Sequence, residues 1–144
     1  MNKTMFHGGI AAVALLTCIA ATSALADTVK YKADLSGASE VPPTTSAGKG
    51  SLDATYDTTS KQLTYTVNYS GLTGPATAAH FHGPAAPGAN SGVAVPVQGA
   101  LASPIKGTAT LTDAQAADLQ SGKFYFNIHT DANKPGEIRG QVVK

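Results

Sequence analysis

Three histidines have the side-chain type and spacing that could support chemistry. His80 and His82 flank Phe81, and His129 closes the alternating run Tyr125-Phe126-Asn127-Ile128-His129. In an extended chain successive side chains point to opposite faces, so His80 and His82 share one face, their origins roughly 6.5–7 Å apart. That separation lets two imidazole nitrogens converge on one ion at about 2.0–2.1 Å each. His129 shares a face with Tyr125 and Asn127, while Phe126 and Ile128 turn toward the core. If the two segments pair, His80, His82 and His129 form an open site that suits copper or zinc. The competing reading is bland: histidines on a polar strand face often only hydrogen-bond a neighbour.

Little else in the chain carries chemistry. Lys3 precedes an apolar run from Ile10 to Ala21, and Ala24-Leu25-Ala26 fits the small-x-small cleavage rule. Residues 1–26 therefore read as a secretory signal peptide and 27–144 as one domain, periplasmic or secreted. The apolar run is shorter than the about 20 residues a spanning helix needs, so no integral membrane segment is expected. A lipidated Cys18 fits less well, because Leu16-Thr17 departs from the small-residue pattern of such signals. Without the leader the chain keeps nine basic and nine acidic residues, three histidines and no sulfur. Zero net charge removes the electrostatic footprint of nucleic-acid binding. The absence of sulfur excludes blue-copper, cysteine-zinc and iron–sulfur sites.

Glu40 and Glu137 are the only glutamates. Glu40 lies in the rigid stretch Glu40-Val41-Pro42-Pro43, since proline biases its predecessor toward extended backbone. Glu137 and Arg139 share a face of the last candidate strand, which suggests an ion pair. Either glutamate could assist a metal-activated water, but structural roles are the simpler expectation for both. No Ser-His-Asp, phosphate-loop or paired-acid pattern stands out, so the chain is not expected to be an enzyme.

Strands must position the histidines. Leu63, Tyr65, Val67 and Tyr69 alternate with Thr64, Thr66 and Asn68, and Val29 to Leu35 and Leu52 to Tyr56 repeat the pattern. Further candidates are Ala76 to His82, Val93 to Val97, Ile105 to Leu111, Lys123 to His129 and Glu137 to Val143. Gly and Pro punctuate them, which favours a sandwich or barrel. Thr112 with Gln115 matches a capping box and Gly122 a stop, predicting one short connecting helix. The loops 83–92 and 131–136 follow the histidine strands and could border a site.

Leu35-Ser36-Gly37 with Glu40-Val41-Pro42-Pro43, Ala78-Ala79-His80-Phe81-His82-Gly83-Pro84-Ala85, and His129-Thr130 with Gly136-Glu137-Ile138-Arg139-Gly140-Gln141 together resemble the CHRD domain. That family, named for chordin, also occurs as single domains in bacterial exported proteins. The resemblance covers nearly all of residues 27–144 and implies an all-β, immunoglobulin-like antiparallel β-sandwich. It implies little about activity, because fold does not settle function. Copper,zinc superoxide dismutase offers a looser analogy, but three histidines are too few for a bridged two-metal site. The leading expectation is an exported protein binding copper, or else zinc, through His80, His82 and His129. The alternative is a metal-free module that engages an unidentified protein partner.

Overall fold

The computed structural model describes residues 27–144. The expected signal peptide, with Cys18, lies outside the described residues. Eight strands and one helix follow in order: β1 (Thr28–Ser36), β2 (Lys49–Asp57), β3 (Gln62–Ser70), β4 (Ala76–His82), β5 (Val93–Pro96), β6 (Ile105–Thr110), α1 (Asp113–Gln120), β7 (Tyr125–Thr130) and β8 (Ile138–Gln141). A short 3-10 turn, Gly37–Ser39, follows β1.

Period-two sequences produce period-two burial. In β3, Leu63, Tyr65 and Val67 are buried while Gln62, Thr64 and Asn68 are exposed. β1 pairs with β2 and β2 with β3 without a register break over nine residues each. The β2–β3 turn is fixed by Asp57, whose Oδ1 accepts from the Thr59 and Ser60 N–H groups at 2.9 and 2.7 Å. This local bonding offers the backbone a turn in place of further strand. The capping box forms as expected: Thr112 Oγ1 accepts from the Gln115 N–H and the Gln115 side chain accepts from the Thr112 N–H. Gly122 stops the helix at φ 69°, in the left-handed region.

All strands join one antiparallel sheet in the order β5-β4-β7-β8-β1-β2-β3-β6. The expectation of a two-layer sandwich therefore takes a coarser form: one continuous, curled sheet. The curl brings β3 over β4, so the Tyr65 and Phe81 rings meet edge to face at 5.0 Å. Phe81 also meets Phe126 at 4.8 Å. Phe81, Phe126, Ile128 and Ile138 are fully enclosed, each contributing about 1.5–3 kcal/mol of burial.

The seam between the two halves is narrow. β1 meets β8 through Ser36 opposite Arg139, and a bridge from Lys32 to Val143 extends the contact. Gly140 makes the approach possible, because a Cβ there would overlap the Asp34 carbonyl oxygen. β8 thus carries Arg139 to the edge of the histidine strands, where β7 is its other neighbour.

Candidate metal centre

β4 and β7 are hydrogen-bonded neighbours, with His82 opposite Tyr125, His80 opposite Asn127 and Ala78 opposite His129. Phe81 and Ile128 anchor the core face of the pair, so the histidines project from the other face. The structure brings all three together: one nitrogen from each of His80, His82 and His129 lies within 4.8 Å of the others. Ligands about 2.0–2.1 Å from a tetrahedral ion stand about 3.4 Å apart, so the rings need close by at most about 1.4 Å.

Backbone carbonyls fix two of the rings. His129 Nδ1 lies 2.7 Å from the Lys134 carbonyl and His82 Nδ1 lies 3.0 Å from the Ser91 carbonyl. A carbonyl can only accept, so each Nδ1 carries its proton. In a neutral His129 ring that leaves Nε2 with the lone pair. His80 Nδ1 stands 3.0 Å from His129 Nε2 and donates to it, which leaves its own Nε2 free as an acceptor. His82 Nε2 lies 3.0 Å from Asn127 Oδ1, whose amide nitrogen donates to the Pro135 carbonyl at 3.4 Å, so both His82 nitrogens face acceptors and a metal at Nε2 would have to displace Asn127.

The surroundings favour neutral imidazoles. Burial pushes the His80 pKa below its ordinary value, and the neighbouring His129 and His82 lower it further. Burial also lowers that of His82, against the opposing pull of its bonds to Ser91 and Asn127, with His129 and Arg139 adding to the depression. A neutral imidazole is the form that ligates a metal.

Both loops named from the sequence border the site. Residues 83–92 supply Ser91, and 131–136 supply the Lys134 carbonyl. The first loop is mostly exposed, but its Ala89-Asn90-Ser91 stretch is tied to the sheet. Arg139 donates to Asn90 Oδ1 at 2.9 Å and to the Ala89 carbonyl at 2.5 Å, while its Cζ lies 3.3 Å from the Tyr125 ring centroid. Tyr125 in turn stacks on His82 at 4.7 Å with an interplanar angle of 1°. A guanidinium against an aromatic face is attractive and fits the planar cation better than an ammonium would.

Arg139 and Glu137 do not pair, contrary to the expectation from their shared spacing. Glu137 precedes β8 and is fully buried. It accepts from Ser46 Oγ at 2.6 Å, Thr73 N at 2.8 Å, Thr73 Oγ1 at 2.7 Å and Thr130 Oγ1 at 2.5 Å. Burial alone would raise its pKa, but donors on Ser46, Thr130 and Thr73 hold it down at about 2. Ser91, Asn127, Tyr125 and Arg139 were not singled out from the sequence as parts of a site. Period-two spacing on β7 does place Asn127 and Tyr125 on the His129 face; nothing local marks Ser91 or Arg139.

Residues 31–142 match the family model of the CHRD domain, and the chain belongs to that family. No curated protein and no solved structure gives a significant match. Among the described residues no helix is long and apolar enough to cross a membrane.

Proposed function

We propose that this CHRD-domain protein is an exported β module that binds one transition-metal ion through His80, His82 and His129. One observation carries the reading: a nitrogen from each of three imidazoles lies within 4.8 Å of the others, and the Lys134 carbonyl holds His129 Nδ1 so that its Nε2 faces the cluster. Metal-binding histidines are commonly oriented by such a partner on the second nitrogen. Copper(II) ranks ahead of zinc, because it has the higher intrinsic affinity for imidazole. Nitrogen donors without sulfur suit both ions.

Binding, storage or delivery in the periplasm or outside the cell fits this reading better than turnover. Metal-activated hydrolysis needs an acid or base beside the ion. Glu137 is committed to Ser46, Thr73 and Thr130, and Glu40 is buried. The contact of Tyr65 with Phe81 also supports describing the curled sheet as an immunoglobulin-like sandwich, closed by the β1–β8 seam.

Calorimetric titration of metal-free protein with copper(II) and zinc(II) tests the function. One equivalent binds, and His80→Ala, His82→Ala and His129→Ala each weaken binding by about tenfold or more. Unchanged affinity in all three variants sinks the metal site. Absence of binding altogether favours the metal-free interaction module, for which the mutual hydrogen bond of His80 and His129 is then the whole purpose of the cluster.

A further inference from the structure

The segment Glu40-Val41-Pro42-Pro43 takes no part in the histidine cluster, yet it holds an unusual carboxyl. Glu40 is 6% exposed, and its Oε1 is enclosed without a hydrogen-bond partner. The ion pair found among the described residues, Lys61 with Asp113, lies elsewhere. Arg139 is the charge nearest in effect, but its donors go to Asn90 and Ala89 and its face to Tyr125. Burial lifts the Glu40 pKa to about 7, with Arg139, the Val41 N–H and the approach of the Asn127 amide only partly opposing it.

Clefts of about 370 and 400 Å³ flank this segment, and Glu40, Val41 and Pro43 line both. In the first, Gly136 forms the wall next to the carboxyl. It sits at φ 142°, and a Cβ there would overlap Glu40 Oε1. Oε1 therefore packs directly against the Gly136 backbone, while Glu40 itself lines the cleft. The remaining wall is mostly apolar, from Val41, Pro42, Pro43, Ala132 and Pro135.

We propose that the cleft between Glu40 and Gly136 binds an alkylammonium group, its ammonium donating to Glu40 and its methylenes packing on the prolines. A buried carboxylate without a contact cation is stabilised by one that brings donors with it. The chemistry of the walls selects among cations. Calcium and magnesium need about six or more oxygen ligands, far more than this cleft supplies. A guanidinium seeks both carboxylate oxygens side by side, and Oε1 is enclosed. An ammonium is a point charge on a flexible apolar stem, which one carboxylate oxygen and a proline-lined wall accommodate. A lysine side chain of a partner protein and a free diamine share this chemistry. The site stands apart from the metal reading, because it uses none of the three histidines.

Nuclear magnetic resonance titration of the purified protein provides the test, with three probes: a capped lysine peptide, 1,5-diaminopentane, and the same peptide acetylated at Nζ. The first two should give saturable shifts at the amides of Glu40, Val41, Thr44, Thr45, Ala132, Asn133 and Gly136, and the acetylated peptide none. Tighter binding of the peptide assigns the site to a protein partner, and tighter binding of the diamine assigns it to a free amine. Glu40→Gln keeps shape and removes charge, so affinity should fall by at least about tenfold. Gly136→Ala, whose Cβ would overlap Glu40 Oε1 and displace the carboxyl, should act in the same direction in folded protein. No saturable shift with either amine overturns the proposal, as does equal binding by wild type and Glu40→Gln.

Discussion

His129 Nε2 stands 3.0 Å from His80 Nδ1, while the Lys134 carbonyl holds the opposite nitrogen of His129 at 2.7 Å. The two bonds set the ring so that the lone pair of His129 faces the cluster. An ion bound there exchanges the His80–His129 hydrogen bond for two metal bonds, and the assembled cluster binds it more tightly than the separated histidines of the unfolded chain. At a hundredfold excess over the dissociation constant, a ligand of the native state adds about 2.7 kcal/mol of stability. Copper(II) or zinc(II) should therefore raise the melting temperature by several degrees. His82→Ala should lose most of that rise. Melting curves with and without metal check this, and superimposable curves speak against the site.

Glu40 makes the fold sensitive to pH in an unusual direction. Its carboxyl titrates at about 7 in the fold against an ordinary value of 4.5, and burial is the main cause. A raised acid pKa means the folded chain holds the proton more tightly than the unfolded chain does. Its contribution is therefore intact below about 4.5 and turns unfavourable as pH rises through about 7. Glu40→Gln should leave stability unchanged near pH 4 and raise it by about 1–3 kcal/mol near pH 8. Urea unfolding at the two pH values gives the comparison. A variant that is destabilised at both would show that burial of the charge is not the controlling effect.

Glu137 works in the opposite sense. Burial opposes its charge, but hydroxyl and amide donors hold the pKa at about 2, below the ordinary 4.5. Its stabilisation is complete above about 4.5 and is lost as pH falls toward 2. Glu137→Gln replaces an acceptor oxygen with a donor facing donors, at a cost of roughly 2–4 kcal/mol at neutral pH. The gap between variant and wild type should narrow in acid. A gap that stays constant down to about pH 3 would contradict the ionised assignment.

The different legibility of these residues has a physical basis. Alternation is a local property, so β4 and β7 and the outward direction of His80, His82 and His129 follow from neighbours one and two residues away. The capping box of Thr112 and Gln115 is equally local. Glu137 draws its donors from Ser46, Thr73 and Thr130, which lie 91, 64 and 7 residues away. No pattern short of the fold itself announces such partners, and the same spacing that suggested a pair with Arg139 pointed the wrong way. The single curled sheet was hidden for a related reason. It depends on one seam, where Gly140 lets β8 close on Asp34, and strand periodicity carries no information about which strands meet.

Arg139 links that seam to the histidines, and this makes its replacement informative. It is 2% exposed, lies on Tyr125, and holds Ala89 and Asn90 through its two terminal nitrogens. Asn90 also donates to the Val41 carbonyl at 3.0 Å, and neighbouring Ser91 orients His82. Arg139→Lys keeps the charge but loses the planar face and the forked donors. Stability should fall by roughly 1–3 kcal/mol. Amide exchange in residues 88–92 should quicken more than exchange in β2 and β3, because the change releases the loop and leaves the distant hairpin intact. With Ser91 less fixed, His82 loses its orienting partner, and metal affinity should drop about tenfold or more. Exchange measured by mass spectrometry alongside a metal titration separates the two effects. If exchange quickens uniformly along the chain, Arg139 acts on global stability, and its specific hold on the loop over His82 is refuted.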